Sequence, residues 1–275
     1  MTVQGIGARP SHGVLAGLQI LEAFEHGTGA VSLTELAART GIAKASALRH
    51  LKALAQMGYV TQDARRKTYA LGPAILALSE RFIAQQPGVH ACRPFLVDTA
   101  NETGETAHYA VLRGADVIYL EIAESPNRVR AYVSPGDRLP AHCTASGKAV
   151  LAHTGPETVD AVLGSSPRKL TGRTITGETA FRDELAATRR RGYGVNLAEW
   201  MDEVSAASAP VFSASGAVIG AIGVAGPISR LGADRIHGVG EAVRRHAARY
   251  TQTLCGRATE DATPSGSNKE DSPCV

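Results

Sequence analysis

Two stretches of the chain carry side chains whose types and spacing suit them to chemistry. The first is Cys143-Thr144-Ala145-Ser146-Gly147-Lys148, read as a turn from a strand into a helix. A helix N-terminus leaves backbone N–H groups without intrahelical partners and carries partial positive charge, so it can receive a carboxylate. Ser146 adds a hydroxyl donor, and Gly147 permits close approach of a ligand. Capping of the helix by Thr144 would account for the same turn without any ligand, and Lys148 has the option of facing solvent rather than the pocket. The second stretch is basic. Between Arg39 and Lys67 lie seven cations, Arg39, Lys44, Arg49, Lys52, Arg65, Arg66 and Lys67, against one acid, Asp63. A local basic stripe in an otherwise neutral chain is an electrostatic footprint for an anionic polymer.

Other chemistries fit less well. Gly147-Lys148 resembles the end of a phosphate loop, but that motif wants a glycine where His142 stands and a Ser or Thr where Ala149 stands. Gly216, Gly220 and Gly223 fall in an apolar strand rather than at a strand-to-helix turn, so they make no dinucleotide fingerprint. His142 and Cys143 are neighbours on an expected strand and would point to opposite faces. With His108 they leave a metal site as a minor alternative. No acid and base stand at catalytic spacing, so no catalytic residue, metal ligand or cofactor is assigned.

These residues need elements to position them. In the N-terminal part, apolar residues at Val14, Leu15, Leu18, Leu21 and Phe24 have helical spacing, with a stop at Gly27–Gly29. A short strand is expected at Val31–Leu33. A second helix, Glu35–Thr40, is capped by Thr34 and broken by Gly41. A third helix runs from Lys44 to Met57 and stops at Gly58. On it Ala47, Leu48, Leu51, Leu54 and Ala55 share one face. The opposite face carries Ala45, Ser46, Arg49, Lys52 and Ala53, with His50 at its edge. Short side chains there allow close approach to a duplex, and Arg reaches guanine edges or phosphate. Tyr59–Thr61 and Thr68–Leu71 alternate as strands around the turn Gln62–Lys67. Its tip, Arg65-Arg66-Lys67, suits a wing against the phosphate backbone or minor groove. A structural bundle with a solvated charged face would share some of these features, but helix, strand, helix, turn, helix and basic hairpin in this order make a winged helix-turn-helix. The residues expected on DNA are Thr34, Lys44, Ala45, Ser46, Arg49, His50, Lys52, Arg65, Arg66 and Lys67.

Gly72-Pro73 opens a linker helix. Beyond it the pattern mixes helices (94–103, 156–163, 179–191 and 233–254) with strands (105–112, 117–121, 129–133, 194–197, 204–212 and 217–224). That mixture predicts an α+β domain built on a central antiparallel sheet. The expected divisions are 11–72 for the winged helix, 73–87 for the linker, 88–256 for the second domain, and a disordered tail at 257–275, which is rich in Ser, Pro, Thr, Asn, Asp and Glu.

Composition agrees with two soluble domains. The chain has 275 residues, 44% hydrophobic and 20% charged, as in ordinary globular proteins. Residues 1–86 hold nine Lys/Arg against five Asp/Glu, and residues 87–275 hold twenty against twenty-one, so the excess positive charge sits with the basic stripe. The four cysteines form no C-x-x-C pair, which points to reduced thiols in a cytosolic protein. The N-terminus shows no charged segment followed by an apolar run. The longest uncharged run near the C-terminal core, about Ser213–Ser229, is interrupted by Pro227 and shorter than the ~20 residues of a membrane span. A cytoplasmic location is expected, with no membrane contact.

Taken in order, the stretches LTELAARTGIAKASALRHLKALAQMGYV, YALGPAILAL, NETGETAHYAVL, LPAHCTASGKAVLA, RRRGYGVNLAEW and APVFSASGAVIGAIGVAGPISR resemble the isocitrate lyase regulator (IclR) family over about residues 13–254. The resemblance implies a winged helix-turn-helix joined by a helix to a GAF-like effector-binding domain. It also implies homodimers or homotetramers, and regulation of catabolic genes, as repressor or activator, through small carboxylate or aromatic acid effectors. It sets the pocket around Thr144–Lys148, the strand end at Asn196, and the strands carrying Ala206, Gly223 and Ala225; with the turn, the expected effector-binding residues are Cys143, Thr144, Ala145, Ser146, Gly147, Asn196, Ala206, Gly223 and Ala225. Two departures matter. The recognition helix lacks the second hydroxyl and the aromatic residue of many relatives, so operator sequence does not transfer. The pocket positions are polar only at Ser146 and Asn196, which favours a larger or aromatic acid over a two- or three-carbon one. Two alternatives to a ligand-responsive regulator of an operator are an enzyme with a winged-helix oligomerisation module and a ligand-independent DNA binder.

Overall fold

A computed structural model of the chain describes residues 12–24 and 29–261. They form two compact units that divide between Gln86 and Pro87. The expected helix stop at Gly27 and Thr28, the first residue of the expected winged-helix domain and the tail beyond Asp261 lie outside the described residues.

In the first unit, α1 (His12–Glu22), α2 (Leu33–Thr40) and α3 (Lys44–Gln56) pack beside a small sheet of β1 (Val31–Ser32), β2 (Val60–Asp63) and β3 (Thr68–Leu71), in the order β1-β3-β2. The core is Ile20, Phe24, Val31, Leu36, Ala47, Leu51, Val60 and Tyr69, with Ile42 and Leu54 packed against it. The cap of α2 is Ser32 rather than Thr34: the Glu35 N–H donates to Ser32 Oγ at 3.2 Å. Helical geometry begins at Leu33, so Thr34 lies in the first turn, exposed. Gly41 ends α2 with φ +70°, a left-handed conformation that suits a residue without Cβ. Past the hairpin, the Gly72 N–H donates to Tyr59 O at 2.8 Å and the Ala74 N–H to Gly58 O at 3.1 Å. These two bonds fasten the start of α4 (Ala74–Ala84) to the end of α3.

In the second unit, six antiparallel strands lie in the order β6-β5-β4-β9-β8-β7. They are β4 (Thr106–Arg113), β5 (Asp116–Ala123), β6 (Arg138–Pro140), β7 (Gly194–Leu197), β8 (Val204–Phe212) and β9 (Val218–Pro227). Two long helices, α5 (Pro87–Thr103) and α9 (Ile236–Asp261), cover one face, where Tyr250 meets Tyr109 of β4 edge-on at 5.9 Å. The other face carries a short 3-10 turn (Ala141–Cys143), α6 (Ala145–Leu151), α7 (Pro156–Gly164) and α8 (Glu178–Arg191). A core of Ala110, Val117, Tyr119, Leu151, Val162, Phe181 and Leu185 forms there. Alternation along β4 sends Tyr109 to the first face and His108 to the second.

Residues 129–133 are not a strand. The edge of β5 is taken by β6, and the segment instead crosses the sheet face as a strap, held by the Thr106 hydroxyl donating to Ala131 O at 3.1 Å. The last helix also continues to Asp261, past the expected start of the tail. No helix among the described residues is long and apolar enough to cross a membrane.

Candidate functional site

In the first unit, α3 separates its faces as its period demands. Ala47 and Leu51 are buried, while Lys44, Ala45, Arg49, Lys52 and Ala53 are exposed. A shallow concavity of about 420 Å³ runs along the outer face, lined by Ala45, Leu48, Arg49, Lys52, Ala53 and Gln56. Leu48, expected in the core, is half-buried and contributes to this outer lining. Ser46 is half-buried, and so is His50, whose ring lies beside Gly13 of α1. The wing tip is shaped by Asp63, whose Oδ1 accepts from the Arg65 and Arg66 N–H groups at 2.8 and 3.0 Å. Its acid is thus absorbed by backbone, and the Arg65, Arg66 and Lys67 side chains are left exposed. Of the basic stripe, Arg39 is tied to Glu35 at 2.6 Å and to Ala23 O at 2.8 Å; among the described residues the other six cations make no ion pair.

In the second unit, register builds the site. Position 108 of β4 pairs with 223 of β9, which pairs with 208 of β8. His108, Gly223 and Ser208 therefore stand in one row beneath α6. A Cβ on Gly223 would lie 1.9 Å from Ser208 Oγ and 2.6 Å from His108 Nε2. The missing side chain lets the histidine and serine converge, and both meet Ser146 of α6. The Ser146 hydroxyl is 3.0 Å from His108 Nε2 and 2.9 Å from Ser208 Oγ. The ring of His108 stacks edge-on against Tyr119 at 4.9 Å. Burial pulls its pKa down to about 3, so it is a neutral imidazole, and its Nδ1 has no partner among the described residues.

This row borders an enclosed cavity lined by His108, Tyr119, Leu139, Thr144, Ala145, Ser146, Asn196, Trp200, Val204, Ala206 and Ala225, with Ala131 and Val133 of the strap. No lining side chain is charged. Its free volume of about 20 Å³ has room for roughly one water. Asn196 is buried with its Oδ1 accepting from the Glu199 N–H at 2.8 Å, which leaves its amide NH₂ as the group to meet a ligand.

Thr144, Ala145, Ser146, Asn196, Ala206 and Ala225 thus come together as expected, and three of the expected residues do not reach the cavity. Gly147 serves packing: a Cβ there would lie 2.0 Å from Ala141 O, and its N–H is spent on the Thr144 hydroxyl at 3.2 Å. Gly223 makes room for His108 and Ser208. Cys143 is buried, with Sγ directed to Pro140 O at 3.5 Å, and burial pushes its thiol up to about 12. His142 and Cys143 lie in a 3-10 turn rather than on a strand, and among the described residues no cluster of His, Cys, Asp and Glu could hold a metal. Lys148 is only 1% exposed and faces neither solvent nor the cavity. Its Nζ donates to Val195 O at 2.8 Å and pairs with Glu199, with Glu184 at 3.9 Å. His108, Tyr119, Leu139, Trp200, Val204 and the strap were missed. The apolar run around His108, with a lone imidazole on its inward side, was the available signal.

Residues 14–64 match the IclR helix-turn-helix domain, and residues 81–251 match the C-terminal domain of the bacterial transcriptional regulator IclR. The chain belongs to the IclR family. The HTH-type transcriptional regulator BhcR of Paracoccus denitrificans is 31% identical over 243 residues, 87% of each chain. The crystal structure of an IclR transcriptional regulator from Silicibacter sp. TM1040 is 33% identical with a TM-score of 0.75, over 88% of this chain and 96% of that one. An IclR homologue from Microbacterium hydrocarbonoxydans complexed with 4-hydroxybenzoate shares the fold, with a TM-score of 0.77, 23% identity and coverage of 90% and 99%. This IclR-family chain is a transcriptional regulator with a DNA-binding and a C-terminal domain, and its relatives are named as regulators rather than enzymes.

Proposed function

We propose that the outer face of α3 and the wing read operator DNA, and that an organic acid entering the enclosed cavity changes the affinity of that reading. The observation that carries the first half is the exposed face Lys44, Ala45, Arg49, Lys52 and Ala53, where unpaired cations flank side chains short enough for a groove. The N-terminus of α3 supports it, because no side chain caps it and its first N–H groups are free for a phosphate. In this reading Ser46 and Arg49 face base edges. Lys44, Lys52, Thr34, His50, Arg65, Arg66 and Lys67 meet backbone.

The second half rests on a cavity with few polar groups in an apolar lining, the usual make-up of a small-molecule site. Ser146, Asn196, Thr144 and His108 supply neutral hydrogen-bonding groups, while Ala145, Ala206, Ala225, Val204 and Trp200 supply shape. The closed cavity admits an acid of aromatic size only if the strap or Trp200 moves. The acid therefore selects an opened state, and selection of one state is what a switch requires. The 4-hydroxybenzoate held by the fold neighbour makes that acid a first probe.

Exposed Val14, Leu15 and Leu18 on α1, and Leu76, Leu78 and Phe82 on α4, suit pairing with a second copy. A homodimer, or a tetramer of two, would present two recognition helices to half-sites ~10 bp apart or a multiple of that. The regulator would act in the cytoplasm on catabolic genes.

The test is fluorescence anisotropy with the DNA beside the gene against scrambled DNA at ~0.15 M salt, with and without 4-hydroxybenzoate and a series of aliphatic acids. A preference of ~10³ or more marks specific recognition, and an acid that shifts it marks the switch. Equal binding to both DNAs removes the operator reading. Specific binding that no acid moves leaves a ligand-independent reader.

A further inference from the structure

A second cleft lies against the enclosed cavity. It is open to solvent, about 370 Å³ in volume, and lined among others by Asp116, Arg138, His142, Arg168, Leu139 and Trp200. Leu139 and Trp200 also line the inner cavity, so these two side chains form a shared wall. The outer cleft has the size of a small-molecule site. Its charge is unbalanced. Arg138 pairs with Asp116 at 3.1 Å, whereas the exposed side chain of Arg168 makes no ion pair among the described residues. His142 adds no charge, since burial lowers its pKa. Its Nε2 lies 3.1 Å from Arg168 O. A carbonyl oxygen only accepts, so Nε2 carries the proton and the loop bearing Arg168 is fastened to the turn that leads into Ser146.

We infer that this outer cleft is a binding site for small organic anions and the antechamber of the inner cavity, with Trp200 and Leu139 as the partition between them. The two chambers divide the task. The inner lining holds no charge and sorts by shape and hydrogen bonding. The outer cleft carries a surplus guanidinium and gathers anions from solvent. The antechamber role rests on the effector reading of the inner cavity; the anion site itself does not.

Trp200 is the only tryptophan in the chain, so its emission reports on the partition directly. The full-length protein is quenched with iodide, caesium and acrylamide at fixed ionic strength. Iodide, normalised to acrylamide, is expected to quench about threefold or more strongly than caesium, because a positive cleft concentrates small anions. Sodium benzoate should protect Trp200 from iodide. Arg138→Gln/Arg168→Gln should bring the iodide and caesium constants together. Arg168→Gln alone breaks no ion pair among the described residues and should move the ratio the same way. An unchanged thermal midpoint and acrylamide constant certify the fold of the variants. Iodide and caesium quenching alike, a ratio that Arg168→Gln leaves unmoved, or benzoate without protection would each overturn the inference. A flat response of DNA affinity to every acid would instead sink the effector reading while leaving these quenching constants as they are.

Discussion

The two units use their cations in opposite ways. On α3, Lys44, Arg49 and Lys52 stand in solvent with no carboxylate beside them among the described residues. On α6, Lys148 is buried, held by Glu199 and by the carbonyl of Val195. An exposed, unpaired cation contributes little to a fold and is free for a partner. A buried cation is costly to desolvate and persists only where partners meet it. The contrast separates cations left free for a partner from a cation held by the architecture, the former on the exposed face of α3 and the latter on a helix buried throughout.

The strongest way to break this comparison is Lys148→Met. Glu199 already has one buried carboxylate oxygen without a partner among the described residues. Removing the cation takes away the one charge that pairs with this buried carboxylate at hydrogen-bond distance, a loss of about 3–5 kcal/mol in unfolding free energy measured by urea titration. Lys148→Met/Glu199→Leu should recover much of it. A single variant as stable as the parent would show that Lys148 carries no architectural load.

Next comes the recognition face. Arg49→Ala should cost about 1–3 kcal/mol of operator affinity and relax preference at one base position, with stability unchanged. Replacing Arg65, Arg66 and Lys67 together by Ala should instead weaken all DNAs alike and lower the salt slope by about three. Anisotropy titrations at several salt concentrations separate the two. Arg49→Ala destabilising the fold while leaving DNA affinity intact would reverse the assignment.

His108 sharpens the buried side of the comparison through pH. The unfolded chain takes up a proton near 6.5 that the folded protein refuses until about 3. Stability therefore falls as pH drops through that window, by about 1.4 kcal/mol per pH unit for one proton. His108→Gln, which keeps a polar atom for Ser146 but does not titrate, should have a slope shallower by that amount between pH 4 and 6 in urea titrations. Identical slopes would mean that His108 charges inside the fold. The smallest effect is expected on the surface. Glu35→Ala frees Arg39 and should cost about 0.3–0.5 kcal/mol, within reach of a thermal-shift comparison. A cost of several kcal/mol would mark that pair as structural.

Most of the architecture was legible, because it is written in periodicity. The α3 pattern set Ala47 and Leu51 inside and Arg49 outside, and the mixture of strand and helix stretches pointed to the central antiparallel sheet. The winged helix and the turn at Thr144–Ser146 followed from local signals of this kind. What failed was non-local. Lys148 lies 51 residues from its partner Glu199, on a helix whose every residue is buried, so no polar face advertised its direction. Gly147 was read as room for a ligand and Gly223 was set at the pocket by the resemblance, whereas each is bare because another part of the chain comes close. Residues 129–133 alternate like a strand, yet alternation records only that one side faces an apolar surface. A strap over a cavity meets that condition without any ladder partner, with Val133 inward and Tyr132 75% exposed outside.

The two hydrogen bonds that fasten the start of α4 to the end of α3 have a mechanical consequence. They turn eleven residues of helix into a lever about 16 Å long, clamped at the recognition end. A sideways shift of about 3 Å at the far end of α4 amounts to a swing of about 10° at its base for a helix of this rise. Any such swing has to strain or break the Gly72–Tyr59 and Ala74–Gly58 hydrogen bonds, or turn the end of α3 with it.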